Sequence, residues 1–589
     1  MKPRIPSAVL EGLLYALTAF GVFAFGGVEP WSRAAIEVLA LLLALACFLK
    51  GRPAGSLAGS TFWLFPAAVA GLGGLQLATV TGPDCPYPLR PFTVVPYETR
   101  AAVLLWISYA AVAWSVPRVI VTHHHARRYA RALFSIGLLL ACLGLLQKAT
   151  GGHFHWMREE LSFGSYYNRD HAANILLMSL SVGSGLFFTQ PGWLMAGAIL
   201  LIVLGLFACS SQAAFLAIPL AACVVSFLAA DFERDALPRR LRAIASLAFG
   251  ALMVFFTYHH VVSNADAGAL IDRHVMGRLS IYGDAWRWWR DSPLFGTGLG
   301  SFETVYSSYQ DLALLGTASH AHSDWIEFTL ETGLLGLLGA SLAVVVAAYC
   351  FAQTWRRARS REMRAMMGGA LGAVAAFAAQ SLFEFSFQIP ANAIVLFGLL
   401  GLLLSAPSWA DKTVVPVPSR APSLGAALLA AGYCLALMRS AVVPAVAAWR
   451  ASRPGEPLER IVSLARGAAL DENPVLWARL SAASYMASGD GEKTDFVLLR
   501  LSLRYAMAAL ERRPFNSDVL YLSGRTLERL RRFEDAENLL ARASMVRFAP
   551  FEPRRQTAAQ RWVIEKRRVE KNLGTLRELN LLPGKPETP

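Results

Sequence analysis

Two histidines followed by acidic residues form the group of side chains in this sequence that is best suited to proton transfer. His320 and His322 lie in the segment SHAHSDWIEF, and Glu327 and Glu331 follow, one helical turn apart, on the apolar stretch that continues it. A neutral imidazole can take a proton from an attacking hydroxyl group, and carboxylates inside an apolar segment are functional candidates. Two histidines without a third ligand do not make a good metal site, so we expect no metal. The remaining alternative is a pair of solvated loop histidines.

An arginine earlier in the chain, Arg278 in the segment GRLSIYGDAW, could supply a fixed positive charge. A guanidinium group binds a phosphate or pyrophosphate through paired hydrogen bonds. An anchor at the membrane interface and an ion-pair partner for Asp284 are the structural alternatives. Apolar and aromatic residues recur at three- and four-residue steps over 278–290, which predicts an amphipathic helix that Pro293 ends.

A third polar group stands where an apolar stretch begins. Arg169, Asp170 and His171 occur together in the segment YYNRDHAAN. They could bind a ligand at the membrane surface, or Asn168 and Asp170 could cap a helix. The sequence leaves both interpretations open.

A fourth polar group lies between two apolar stretches, in the segment FEFSFQIPAN. Glu384, Gln388 and Asn392 follow one another at steps of four residues, and Pro390 predicts a tight turn there. Polar groups in such places usually face a protein interior or a water-filled cavity. We therefore expect Glu384 to line a ligand site.

The composition excludes a protein that is soluble throughout. Hydrophobic residues make up 55% and charged residues 16% of the chain, whereas soluble domains carry about 25% charged residues. The net charge of +14 does not indicate nucleic acid, because many arginines form short clusters between apolar blocks, a pattern that sets membrane topology. The seven cysteines include no C-x-x-C pair, which argues against a zinc site or a disulfide framework.

The apolar blocks are long enough to cross a membrane as helices. Candidate spans lie near 8–27, 34–50, 61–80, 101–117, 130–149, 171–189, 191–208, 212–230, 241–262, 325–353, 365–386, 391–406 and 423–443. The positive-inside rule predicts a cytoplasmic N-terminus and places the loop 263–324 on the outer side of the membrane. If the number of spans is odd, the C-terminal tail also lies outside. The basic start of the chain is interpreted as part of a retained first span. The predicted fold is all-α: a polytopic membrane helix bundle of about 12 to 13 transmembrane helices over residues 1–443.

The segment 444–589 has a higher charge and no spanning block. Its stretch 517–550 fits a tetratricopeptide template, with residues at the matching offsets: Gly524, Phe533, Ala536, Leu540, Ala543 and Pro550. We expect a periplasmic, α-helical domain of the tetratricopeptide type, a surface that recruits partner proteins.

The order of these motifs resembles the O-antigen ligase and polymerase family of lipid-linked glycan transferases. The matching motifs are GSYYNRDH, then GR…W…PLFGTGLG, then HAHSDWIE…ETGLLG, together with FGGVEPW at 25–31 and FEFSFQIP. The resemblance covers roughly residues 10–405 and is most specific over 277–336. The tetratricopeptide tail is a common appendage of such proteins.

The resemblance implies a reaction at the outer face of the bacterial inner membrane. A glycan carried on undecaprenyl pyrophosphate is transferred to the hydroxyl group of a glycan or lipid acceptor, with inversion and without metal, cofactor or nucleotide sugar. Carried over by motif, Arg278 binds the pyrophosphate and either His320 or His322 is the base, with His320 preferred from its spacing to Trp325. The further substrate-binding candidates are Arg169, His171, Glu327 and Glu384.

One position departs from the family pattern. Gln212, in the segment CSSQAAF, stands where the family has an arginine, and a glutamine cannot neutralise a phosphate. Either Arg169 supplies that charge or the lipid-pyrophosphate interpretation weakens.

Three functions therefore compete. The first is glycan transfer, whether ligation to lipopolysaccharide, polymerisation of O-antigen or exopolysaccharide repeats, or glycosylation of protein; the tail favours polymerisation by analogy. The second is a non-catalytic membrane scaffold of a polysaccharide assembly complex, which Gln212 favours. The third is a transporter. The sequence argues against it, because it shows no pair of broken spans in matching halves of the chain.

Overall fold

The computed structural model of the chain describes residues 6–50, 59, 61–78, 90–211, 213–214, 217–218, 267–306, 309, 318–358, 360–410, 446–447, 457–470, 474–489, 494–512 and 517–548. Within these residues the protein is α-helical and has no β-strand. The largest apolar core lies among the helices of the N-terminal part of the chain, and the helices of the C-terminal part pack around a separate core.

Seventeen helices form the described part of the chain. The N-terminal set is α1 Ser7–Phe23, α2 Pro30–Lys50, α3 Leu64–Ala78, α4 Pro96–Val119, α5 His123–Ala149, α6 Arg169–Thr189 and α7 Trp193–Cys209. The next set is α8 Ala267–Asp291, α9 Phe302–Tyr306, α10 Asp324–Arg357, α11 Arg361–Gln380 and α12 Pro390–Ala410. The last set is α13 Pro457–Leu470, α14 Pro474–Ala487, α15 Phe496–Arg512, α16 Ser517–Arg529 and α17 Phe533–Phe548.

Several of these helices have the length and apolar character of membrane spans. Among the described residues, α2, α4, α5, α6 and α10 are long enough, and α1, α3, α7 and the first part of α12 are shorter apolar helices. Ten of the predicted spans coincide with α1–α7 and α10–α12. The predicted spans near 212–230, 241–262 and 423–443 lie almost wholly outside the described residues. The prediction of an all-α, multi-pass membrane protein is confirmed.

Helices α6 and α11 approach each other closely through glycines. A Cβ atom added at Gly185 would lie 2.5 Å from the carbonyl oxygen of Ala365, and one added at Gly369 would lie 2.8 Å from that of Ser181. Small residues let helix backbones pack at short distance where apolar burial alone does not drive association in lipid. This contact fixes the end of α6 against the start of α11.

At this same end of the bundle, where α11 begins, basic residues pair with acidic ones between helices. Arg128 of α5 donates to both carboxylate oxygens of Glu11 of α1, at 2.8 and 2.9 Å. Arg127 donates to Glu362 of α11 at 3.1 Å. These pairs bring the starts of α1, α5 and α11 to one side of the bundle.

The glycine-rich segment after α8 docks on a break in α10. Gly333 has φ +66° and ψ −166° inside that helix. The break leaves carbonyl groups that accept bonds from the segment, from Gly298 N to Glu331 O at 3.1 Å and from Thr297 N to Leu330 O at 3.2 Å. Gln76, buried in α3, links the segment to the broken helix, because its Nε2 donates to both Phe295 O and Glu331 O at 2.9 Å.

Helices α13 to α17 pack successively, each against the next. Gly524 of α16 lies directly against Leu540 of α17, and Ala536 is buried. Close packing at a glycine between paired helices agrees with a helical repeat. The tetratricopeptide domain and its boundary at 444 stay predictions.

Candidate functional site

The His320 side chain is held by a carboxylate of the helix that follows it. Glu327 lies one turn into α10, where its Oε1 is 2.9 Å from Nδ1 of His320. Its Oε2 accepts the backbone N–H of Ala321 at 2.9 Å. One buried carboxylate therefore fixes both the imidazole ring and the loop backbone. A proton on Nδ1 that is shared with Glu327 leaves Nε2 as the acceptor nitrogen.

Opposing influences set the pKa of His320. Burial lowers the pKa of the imidazole, but the charge and hydrogen bond of Glu327, with further charges on Glu331 and Asp324, outweigh it and raise the pKa above its ordinary value. A more basic imidazole is a stronger proton acceptor once it is neutral. His320 is therefore suited to work as a base.

A second carboxylate, Glu384, joins the arginine and the other histidine. Arg278 donates from Nη2 to Glu384 Oε1 at 2.5 Å, and Nδ1 of His322 lies 3.6 Å from Glu384 Oε2. Asp284, the local alternative as a partner for Arg278, instead pairs with Arg287 and accepts from Tyr306 at 3.0 Å. The structure thus brings Arg278, His322 and Glu384 together.

The backbone of His322 adopts a conformation that non-glycine residues rarely use. Its φ is +50°, in the left-handed region, which costs free energy and is found preferentially at functional sites. Tyr282 of α8 donates its hydroxyl to the carbonyl oxygen of His322 at 3.2 Å. The strained turn points His320 and His322 to different carboxylates.

Phe385 is the residue on which three imidazole rings converge. The ring of His320 stacks on it at 4.1 Å between centroids, and the rings of His171 and His322 meet it edge-on at 4.5 and 5.4 Å. His171, at the start of α6, is therefore part of the same site. Nothing in the sequence pattern singled out Phe385.

Buried amide side chains hold the start of α6 in place. Asn392 donates to the carbonyl oxygen of His171 at 3.0 Å and accepts from Tyr166 at 3.1 Å. Gln380 donates to the carbonyl oxygen of Asp170 at 2.8 Å and accepts from Asn174 at 2.9 Å. Polar residues inside apolar segments mark functional interiors, so Asn174 and Gln380 could have been identified from the sequence on that ground.

Other sequence candidates have separate roles. Asn168 caps α6 by accepting from the backbone N–H of Asp170 at 2.8 Å, as the capping alternative predicted. Arg169 is exposed, and its charge lies near Asp170. Glu331 accepts the backbone N–H of Phe302 at 3.1 Å and so stabilises the glycine-rich segment. Gln212 lies outside the described residues.

Within the described part of the chain, no group of three or more histidine, cysteine, aspartate or glutamate side chains is arranged to hold a metal ion. The site consists of a cation, two carboxylates and three imidazoles around an aromatic ring. Such a set can bind an anionic group and accept a proton close to it.

Comparison with known proteins bears on the same segment. Residues 197–341 match the family model described as O-antigen ligase. The matched segment contains Arg278, His320, His322 and Glu327, whereas Glu384 lies beyond it. Comparison with curated proteins found no match. Over residues 197–341 the chain is therefore similar to the O-antigen ligase family, and the multi-pass helical architecture agrees with that similarity.

Proposed function

We propose that the protein transfers a glycan from undecaprenyl pyrophosphate to an acceptor hydroxyl group at the periplasmic face of the bacterial inner membrane. The family match supports a lipid-linked glycan and an acceptor as the substrate classes. The observation that carries the proposal is a carboxylate-oriented imidazole, His320, in the same cluster as Arg278. His320 stacks on Phe385, and the neighbouring residue Glu384 binds Arg278.

His320 acts as the base in this proposal. Nε2 takes the proton from the acceptor hydroxyl while Glu327 holds Nδ1 and stabilises the imidazolium ion that forms. The acceptor oxygen bonds to the anomeric carbon from the side opposite to the pyrophosphate, so the configuration inverts. His322, which lacks a hydrogen-bonded carboxylate at Nδ1, is the less suitable base.

Arg278 binds the leaving group. As the bond between the anomeric carbon and the pyrophosphate oxygen breaks, its electron pair goes to the departing undecaprenyl pyrophosphate. The fixed guanidinium stabilises the negative charge that develops there. Arg169, exposed at the start of α6, is the second cation that we assign to the pyrophosphate in place of the expected arginine at position 212.

The proposed topology rests on the distribution of charge between the two ends of the bundle. The arginines of α5 and the basic segment before α11 share one end, and the positive-inside rule assigns that end to the cytoplasm. Glu384 follows the far end of α11, and His171 lies at the start of α6. The site is thereby assigned to the periplasmic end of the bundle. The segment 444–589 follows on that side as a surface for polysaccharide assembly proteins.

The test is complementation of a deletion strain with the Arg278→Ala and His320→Ala variants. Loss of glycan attachment or of long chains, measured on gels of surface polysaccharide, is the expected result for both. Arg290→Ala, exposed on the same helix as Arg278, and His153→Ala, in another loop, are the matched controls and should retain activity. Wild-type glycan in both site variants would favour the non-catalytic scaffold. Comparing the glycans formed would separate ligation, polymerisation and protein glycosylation.

A further inference from the structure

The two oxygens of the Glu384 carboxylate face different partners. Oε1 accepts from Arg278 at 2.5 Å, whereas Oε2 lies 3.6 Å from Nδ1 of His322, which is too long for a hydrogen bond. The side chain of Glu384 is only 2% exposed. Among the described residues neither Oε2 nor Nδ1 of His322 has a hydrogen-bond partner. A buried acceptor and a buried ring nitrogen therefore face each other without being bonded.

Glu384 occupies Arg278 in the way that a phosphate would. Carboxylate and phosphate oxygens accept the same N–H groups of a guanidinium. A pyrophosphate that bound Arg278 with Glu384 in place would bring two anions together at a buried position, which is unfavourable. Movement of the carboxylate away from Arg278 would therefore favour binding of the donor.

The neighbouring imidazole offers the carboxylate a second position. The backbone of His322 is held by its bond from Tyr282, and its ring packs against Phe385. A small rotation of Glu384 away from Arg278 would close the gap between Oε2 and Nδ1. The imidazole can then donate from Nδ1, and no proton has to be added to the site.

We infer that Glu384 is an internal competitor for the pyrophosphate position. It neutralises Arg278 while the donor site is empty, and it turns to His322 when a pyrophosphate takes the guanidinium. After transfer, its return to Arg278 helps to expel the lipid pyrophosphate product. Glu384 is a positioning residue in this scheme, and the inference rests on the proposed function.

The experiment is titration of purified full-length protein in detergent with farnesyl pyrophosphate, a short prenyl pyrophosphate, followed by calorimetry. Glu384→Gln keeps the shape of the side chain and removes the charge that competes. We expect its Kd for the probe to be about tenfold lower than that of wild type, because a charge-assisted bond no longer has to be broken. Arg278→Ala should weaken binding, and the Arg278→Ala/Glu384→Gln double variant should bind no more tightly than Arg278→Ala.

Asp170→Asn is the matched control for the loss of a negative charge near the site. The Asp170 carboxyl lies within the electrostatic influence of both Glu384 and Arg278 but does not bond to Arg278. It should change the Kd less than threefold. Equal tightening in Asp170→Asn, or tightening that persists without Arg278, would contradict competition for the guanidinium.

Steady-state kinetics separate competition from a structural role. Competition predicts a lower KM for the donor and a lower kcat in Glu384→Gln, because donor binds better and product leaves more slowly. A purely structural role predicts a higher KM together with a lower Tm. Equal or weaker probe binding by Glu384→Gln would overturn the inference and leave the proposed function standing. Failure of wild type to bind the probe, with normal glycan in Arg278→Ala cells, would overturn both.

Discussion

Asp324 binds the backbone of Phe387, with Oδ2 of the carboxylate 2.9 Å from the N–H group that donates to it. The bond joins the first residue of α10 to the loop between α11 and α12. In the other direction, the N–H of Asp324 donates to the carbonyl oxygens of Ser381 and Glu384, at 3.0 and 3.2 Å. The helix that carries Glu327 and the loop that carries Glu384 are thereby held as one unit.

Replacing Asp324 should therefore disturb both carboxylates of the site. In Asp324→Ala the loop amide of Phe387 loses its buried acceptor, which costs about 1–3 kcal/mol of stability, and transfer activity should fall strongly. Asp324→Asn keeps one acceptor oxygen and should lose less of both. Thermal unfolding in detergent and a transfer assay provide the measurements, with exposed Glu159→Gln as the control. An unchanged Tm for Asp324→Ala would show that the loop is held by other contacts.

The pH dependence of transfer should report the His320–Glu327 pair. The base must be neutral, so activity should rise with pH through the pKa of His320, which lies above its ordinary value of 6.5 in the folded protein. In Glu327→Gln the raising influence is lost, so the rise in activity should move to lower pH and the maximal rate should fall. Rate profiles from pH 5 to 9 would test this. An identical profile in the variant would remove Glu327 from the mechanism.

The same pair should contribute to stability in a definite pH range. A group whose pKa is raised on folding stabilises the folded state below its unfolded pKa, and this contribution is lost as the pH rises through the folded pKa. The difference in Tm between wild type and Glu327→Gln should therefore be larger at pH 5.5 than at pH 9. The bond of Glu327 to the backbone of Ala321 adds a difference that is similar at both pH values. A difference that grows with pH would contradict the raised pKa of His320.

Gly298 should tolerate no side chain. Its φ is +113°, and an added Cβ would collide with the side chain of Thr93. Gly298→Ala should displace the glycine-rich segment from α10 and lower stability by about 1–3 kcal/mol, with loss of activity. Gly283→Ala is the matched control, because it lies in α8 with open space at Cβ and should be neutral or stabilise by up to about 1 kcal/mol. Similar Tm values for the two variants would disprove the packing argument.

Asn392 should be essential for the position of His171. The residue is fully buried and bonds to His171, Asn174 and Tyr166. Asn392→Leu leaves these groups without their partner, at about 1–3 kcal/mol for each unsatisfied group, so the yield of monodisperse protein should drop sharply. Gln388→Ala, one turn earlier and half-buried, should be mild. Size-exclusion chromatography of the two variants in detergent measures the yield of monodisperse protein. Equal yields would contradict the role of Asn392.

The sequence by itself determined the membrane character and most of the apolar helices. Spans are recognised from local composition, because a helix in lipid must satisfy its own backbone and present apolar side chains over its full length. The residue types needed for the chemistry were also apparent, since Arg278, His320, His322 and Glu384 are unusual beside apolar segments.

The tertiary structure decided which of these residues meet. Glu327 is close to His320 in the chain, and that pair could have been guessed. The partner of Arg278 was not the nearby Asp284 but Glu384, and His322 faces the same carboxylate. The pairing of Arg278 and His322 with Glu384 depends on the left-handed backbone at His322. It also depends on the bond between Asp324 and Phe387, which joins segments far apart in the chain. Such long-range contacts arise from packing of the whole bundle, and no local pattern of residues specifies them.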